Sequence, residues 1–146
     1  LLENQAAFQN IEIKKNLASD IPPLKVDSNK LKQVFWNMMI NAAEAMPRGG
    51  TLTITTRLSS DKRHVEIIFA DTGIGIPGKN IPKLFDPFFT TKVSGTGLGL
   101  AVSYGIIKQH KGNIRVESQV GKGSTFIISL PLEKGDRQQG GDHEQK

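Results

Sequence analysis

Two asparagines one helical turn apart, Asn37 and Asn41, stand in the stretch Asn37-Met-Met-Ile-Asn41-Ala-Ala-Glu44. Their carboxamide oxygens are neutral, hard donors, suited to a magnesium ion that already carries phosphate oxygens. Asparagine is a mediocre helix former, so a pair at this spacing needs a reason beyond helix formation. Downstream, Asp71-Thr-Gly-Ile-Gly-Ile-Pro77 puts a carboxylate at a strand tip, ahead of a turn that only glycine makes closely. That carboxylate can accept the exocyclic amine of adenine, whereas guanine would turn a carbonyl oxygen toward it and be repelled. Leu84-Phe-Asp-Pro-Phe-Phe-Thr-Thr-Lys92 then supplies Phe85, Phe88 and Phe89 as an aromatic anchor, and the small, polar Thr90–Gly95 reads as a movable flap. Lys92 adds a cation for a terminal phosphate. Gly95-Thr-Gly-Leu-Gly-Leu100 sets alternate glycines at the mouth of a helix, where backbone N–H groups and the helix dipole favour phosphate. A metal ligand, a base acceptor, a cover and a phosphate cradle make a nucleotide pocket.

The elements that must carry these groups follow from periodicity. Leu31, Val34, Phe35, Met38 and Ala42 form one apolar helical face, with Gln33, Asn37, Asn41 and Glu44 as a polar stripe beside it. The pattern predicts a helix from about Lys30 to Met46, capped by Asp27 or Ser28 and ended by Pro47-Arg-Gly-Gly50. Asn10–Ala18 alternates as a strand, and Ile21–Val26 reads as a turn leading into a short extended piece. Thr51–Leu58 and His64–Ala70 read as a hairpin around Ser59–Lys62, and Gly112–Ser118 and Ser124–Leu130 as a second around Val120–Gly123. Gly99–Lys111 reads as a helix. The expected fold class is α+β. Leu1–Gln9 reads as a helix that the chain enters abruptly, which suggests a piece of something longer, and the polar tail Glu133–Lys146 reads as disordered.

Composition narrows the function. The 146 residues suit one domain, with no cysteine for a disulfide scaffold or a thiolate zinc site. The apolar runs are too short for a membrane span. A net charge of +5 would suit nucleic acid, but the lysines and arginines are scattered without aromatic interleaving, so no nucleic-acid partner is expected. Two motif matches are decoys. Gly73–Lys79 has P-loop spacing, yet Asn80 stands where Ser or Thr is required, and Pro77 and Pro82 remove donors. Asp71-Thr-Gly73 matches the aspartic-protease triplet, whose chemistry needs two aspartates sharing a proton.

The ordered set Asn37–Glu44, Asp71–Pro77, Leu84–Lys92 and Gly95–Leu100 resembles the N, first glycine, F and second glycine boxes of bacterial sensor histidine kinases. Gly121-Lys-Gly-Ser-Thr-Phe126 resembles their last glycine-and-threonine box, so the likeness runs from about Asn10 to Leu132. It implies a Bergerat sandwich, a mixed, mostly antiparallel sheet covered on one face by about three helices, with a flexible ATP lid. The catalytic domain would be residues 1–132, with 1–9 a connecting helix from a dimerisation domain and 133–146 a tail. By resemblance Asn41 and Asn37 would hold Mg2+, and Asn37, Asn41 and Lys92 would be the catalytic set. Asp71 would take the adenine amine with Thr125 nearby, Gly73, Gly75 and Ile76 shaping that turn. Phe89, Thr90, Thr91 and Lys92 would cover the nucleotide. Gly95, Thr96, Gly97, Leu98, Gly99 and Leu100 would line the phosphates. Asn41-Ala-Ala-Glu-Ala-Met46 with Phe88-Phe-Thr-Thr-Lys92 looks most like the nitrogen-regulatory and oxygen-sensing branch.

Two departures refine the expectation. Gyrase, the heat-shock chaperone and mismatch-repair ATPases of this fold carry a glutamate where Asn37 stands, as the base that activates water. Asparagine there points away from hydrolysis and toward donation of the γ-phosphoryl group to a protein nucleophile. By resemblance Glu44 would also line the cofactor site, but many kinases carry a basic residue there, so that phosphate contact passes to Lys92 or Arg48. His64, His110 and His143 do not suit the phosphoacceptor role. The resemblance therefore implies an ATP–Mg-binding, cytoplasmic, monomeric domain without membrane contact. Its partners would be a phosphoacceptor histidine domain of the same homodimeric parent and a response-regulator receiver. The alternatives are an ATP-gated module of the gyrase type and a degenerate interaction domain.

Overall fold

The computed structural model describes residues 8, 10–89 and 98–132. Strand β1 (Ile11–Leu17) leads through Ala18–Asp27 into helix α1 (Ser28–Glu44), and strands β2 (Gly50–Leu58) and β3 (His64–Asp71) follow as a hairpin. A 3-10 helix (Gly78–Lys83) precedes helix α2 (Gly99–Gln109), and strands β4 (Asn113–Gln119) and β5 (Gly123–Pro131) complete the elements of the described residues. The five strands lie in the order β1-β2-β3-β5-β4. Only β1 and β2 run parallel, because the α1 crossover between them is long enough to return the chain to the same end of the sheet. The other three pairings are antiparallel. The result is the expected α+β sandwich, with α1 and α2 on one face of a mixed sheet.

Period-two alternation decides which face is buried. Val65, Ile67 and Phe69 on β3 point inward with Phe126, Ile128 and Leu130 on β5, against Leu31, Val34 and Met38 of α1 and Ile106 and Ile107 of α2. On the outer face Arg57 pairs with Glu66 at 2.7 Å, and Arg115 approaches the same carboxylate at 4.0 Å. Pairs with partners this exposed add little stability.

Asp27 caps α1, its Oδ1 accepting the Lys30 N–H at 3.2 Å, so the cap read from sequence is the aspartate and not Ser28. The Asp27 N–H donates in turn to His110 Nε2 at 3.0 Å, while Nδ1 of that ring lies 2.8 Å from the Ile106 carbonyl. A carbonyl only accepts, so Nδ1 carries the proton, and His110 ties the end of α2 to the start of α1. Ile21–Val26 forms no strand; Pro22 and Pro23 lack ladder donors, and Ile21, Leu24 and Val26 pack against the core instead. Gly78–Lys83, to which the sequence assigns no element, is a six-residue 3-10 helix that accommodates Pro82. Of the expected connecting helix only Phe8 is described, its buried ring 6.4 Å from Trp36; the tail from residue 133 lies outside the described residues. No helix among the described residues is long and apolar enough to cross a membrane.

Candidate functional site

Asp71 is the last residue of β3 and continues the inward row of Val65, Ile67 and Phe69, which leaves it only 7% exposed. Its Oδ1 accepts two backbone hydrogen bonds, from Gly73 N at 2.9 Å and Ser124 N at 3.2 Å. Among the described residues Oδ2 receives none, so this oxygen is the one presented for an external donor. Burial pushes the carboxyl above the ordinary aspartate range, and the Gly73 and Ser124 bonds pull partly the other way.

A hydroxyl pair braces this carboxylate. Ser118 Oγ accepts from Ile76 N at 2.8 Å and donates to the Gly123 carbonyl at 3.0 Å. Its only proton is thus committed, so in the 2.7 Å contact between Ser118 Oγ and Ser124 Oγ it is Ser124 that donates. Ser118 belongs to none of the sequence motifs, and Ser124 stands in the Gly121–Phe126 motif with no site role assigned to it there. Thr125, to which the resemblance does assign one, pairs in register with Ala70 and therefore faces the side of the sheet opposite Asp71. Ser124, one residue earlier, is the neighbour of the carboxylate. The signal was available: Phe126, Ile128 and Leu130 are the inward residues of β5, and Thr125 is out of phase with them.

The turn after Asp71 is fixed at several points. Ile74 N donates to the Ala45 carbonyl at 2.9 Å, and the Ile74 carbonyl accepts from Gly121 N at 2.8 Å. Thr72 and Thr51 exchange two bonds, Thr72 N to the Thr51 carbonyl at 3.2 Å and Thr51 N to Thr72 Oγ1 at 3.0 Å. Gly73 is required by close approach, since a Cβ there would lie 2.3 Å from the Ala45 oxygen. Ile76 packs inward and Ile74 is exposed. The N–H groups of Gly73, Ile74 and Ile76 are all bound within the protein, which removes the donors a P-loop would need.

The side of the site expected to take phosphate is built by the two helices. Asn37, half-buried on α1, donates Nδ2 to the Gly99 carbonyl at 3.3 Å and to Ser103 Oγ at 3.2 Å. Asn41 sits one turn further along, half-buried, and Glu44 ends the helix exposed. Helix α2 begins at Gly99 without a side-chain cap, Leu98 preceding it exposed and Leu100 packed against the core. Of the three anchor phenylalanines, Phe85 stacks on Tyr104 of α2 at 5.0 Å and 25°, with Lys108 Nζ 5.5 Å from the Tyr104 ring centroid. Phe89 is half-buried, but Phe88 projects outward, 72% exposed with a φ of 67°. The inward anchor is therefore Phe85, not the trio. Thr90, Thr91, Lys92, Gly95, Thr96 and Gly97 lie outside the described residues.

The buried carboxylate carries a pH signature. Its folded-state pKa is raised, so the folded chain holds the proton to higher pH than the unfolded chain does. The contribution is most favourable below the ordinary aspartate range and is lost as pH rises through the raised value. Urea midpoints of the unliganded chain, followed across the acid range, are expected to show this fall. Asp71→Asn should remove that component, and an unchanged pH profile in the variant would contradict it.

Comparison with known proteins places these features in context. The family model described as histidine kinase-, DNA gyrase B-, and HSP90-like ATPase matches residues 26–134. Sporulation kinase E of Bacillus subtilis is 45% identical over 142 residues, covering 97% of this chain and 19% of that protein. The catalytic domain of the histidine kinase ThkA superposes with a TM-score of 0.74 at 34% identity, covering 84% of this chain and 80% of that one. Full-length ShkA, solved in complex with AMPPNP, gives a TM-score of 0.78 at 26% identity, over 90% of this chain and 28% of that one. The chain spans under a third of the length of the curated relatives it matches first, at 19%, 31% and 21%.

Proposed function

Because the chain belongs to the family of histidine kinase-, DNA gyrase B-, and HSP90-like ATPases, we propose that it is the ATP-binding catalytic domain of a sensor histidine kinase in two-component signalling. The observation that carries the reading is Asp71, buried, tied through one oxygen by two backbone N–H groups and left with the other for the adenine amine. Gly73, Gly75 and Ile76 shape the turn that holds it. The uncapped N-terminus of α2 at Gly99, with Leu98 and Leu100 beside it, supplies N–H groups toward phosphate. Gly95, Thr96 and Gly97 would extend that cradle, and Phe89, Thr90, Thr91 and Lys92 would cover it.

Asn41 and Asn37 would hold Mg2+, their amide oxygens being the hard donors this cation takes. The donor set fits: Asn37 spends its nitrogen on α2, which leaves its oxygen as the ligand atom. When bound, the ion neutralises phosphate charge. The chain itself binds the base, orients the triphosphate and withholds a hydrolytic base at position 37. The γ-phosphoryl group then passes from ATP to an imidazole nitrogen, which loses its proton, and ADP departs with the bridging oxygen. That imidazole would belong to a phosphoacceptor domain of the same homodimeric parent, outside this chain, and a receiver domain would take the group next. The reading makes the isolated chain a cytoplasmic, monomeric domain, and its placement in the nitrogen-regulatory and oxygen-sensing branch rests on the motif strings alone.

Millimolar ATP with Mg2+ is expected to raise the melting temperature of the purified chain by linkage, with no steady phosphate release. Added to a histidine-bearing helical hairpin from a relative, the chain should produce acid-labile phosphohistidine on the hairpin. An unmoved melting temperature would remove the nucleotide reading. Continuous phosphate release that Asp71→Asn abolishes would favour a gyrase-type ATPase.

A further inference from the structure

The Asn37 carboxamide is gripped from the α2 side. Its Nδ2 reaches both the Gly99 carbonyl, at 3.3 Å, and Ser103 Oγ, at 3.2 Å. A peptide carbonyl can only accept, so the edge of the amide that faces Gly99 must be the NH2 edge, and Oδ1 is directed away from it. One hydrogen goes to each partner, which leaves the amide no second orientation that satisfies α2. Ser103 is fully buried, at 0% exposure, in a helix whose other buried side chains are Ile106 and Ile107. An apolar residue is the default at such a position, and a hydroxyl there is costly unless bonded. Among the described residues, Asn37 is what gives it a partner. Gly99 is the first residue of α2, so the same amide also joins the end of the glycine segment to α1.

We propose that Ser103 is a positioning residue: with the Gly99 carbonyl it locks the Asn37 carboxamide so that Oδ1 faces the nucleotide–metal site. The proposal rests on the nucleotide reading above and adds to it a residue that none of the sequence motifs contains. The lock requires a donor at position 37. A carboxylate there would set negative charge against the Gly99 carbonyl, so α2 is matched to an amide and not to the glutamate of hydrolytic relatives.

The test compares Ser103→Ala and Ser103→Thr in the whole chain, reading ATP affinity by calorimetry with and without Mg2+. It also follows the Asn37 side-chain amide in the nitrogen–proton correlation spectrum of the unliganded chain. Ser103→Ala is expected to shift that amide pair and speed its hydrogen exchange. It should weaken Mg2+-dependent ATP binding roughly threefold to tenfold, the weight of one hydrogen bond. Metal-free ATP affinity and the ATP-to-GTP ratio should stay put. Ser103→Thr, which keeps the hydroxyl, should restore both readouts. An Asn37 amide unmoved by Ser103→Ala overturns the proposal, as does an equal loss with and without Mg2+, which would mark Ser103 as packing only. If the unmutated chain binds no ATP, the nucleotide reading falls while the amide signals still decide the lock.

Discussion

Asp71→Asn is expected to weaken ATP binding roughly 5- to 150-fold and to collapse the preference for ATP over GTP, while leaving the fold intact. The substitution is nearly isosteric, and the asparagine Oδ1 can keep both bonds that the carboxylate receives, from Gly73 N at 2.9 Å and Ser124 N at 3.2 Å. What changes is the second position, where an NH2 group replaces Oδ2. Toward adenine this sets donor against donor, and an unmade bond in a buried site costs about 1–3 kcal/mol, which sets the expected factor. Toward the guanine carbonyl the same NH2 is a partner. Removal of a buried charge should hold or raise the melting temperature of the unliganded chain, since burial is what pushes the Asp71 pKa upward. Calorimetric titration with ATP and GTP, beside melting curves, checks all three. Equal losses for both nucleotides with a lowered melting temperature would mean that Asp71 serves the fold and not the base. Unchanged ATP affinity would remove it from the site.

The sequence made Asp71 legible because two local signals coincide there: a period-two strand that ends on an acid, and glycines that follow at once. Ser124 was hidden because its relation to Asp71 spans 53 positions and exists only through the register between β3 and β5. Strand phase alone would have favoured it over Thr125, since phase is a local property and register is not. Asn37 was legible as a residue out of place on a helix, but its partners are on α2, and no spacing within α1 foretells them. The parallel pairing of β1 with β2 follows from a connection carrying a 17-residue helix, a topological cue that a reading of single elements passes over. The 3-10 helix at Gly78–Lys83 escaped because Pro77 and Pro82 mask helical periodicity.

Gly75→Ala is expected to cost about twice as much stability as Gly121→Ala, although the two glycines share one backbone conformation. Gly75 has a φ of +78° and Gly121 a φ of +83°, so alanine at either position meets the same left-handed penalty, about 1–2 kcal/mol. Space separates them. A Cβ at Gly121 meets nothing within 4 Å, whereas at Gly75 it would lie 2.2 Å from the Gln119 oxygen and 2.8 Å from Val120 Cα. The obstacle is backbone and cannot rotate aside, so the turn after Asp71 and the β4–β5 turn must separate. Their separation strains the Gly121 N bond to Ile74 and the Ile76 N bond to Ser118, both 2.8 Å. Two such bonds weigh about 1–3 kcal/mol together, which brings the total for Gly75→Ala to roughly 2–5 kcal/mol. Urea midpoints measure the difference, and nucleotide affinity supplies a second axis. Because Ser118 also holds Ser124, whose N–H holds Asp71, Gly75→Ala should weaken ATP binding in the folded fraction, and Gly121→Ala should leave it nearly unchanged. Equal destabilisation by the two substitutions would show that backbone conformation alone sets the cost. It would also mean that the two turns do not brace the carboxylate as a unit.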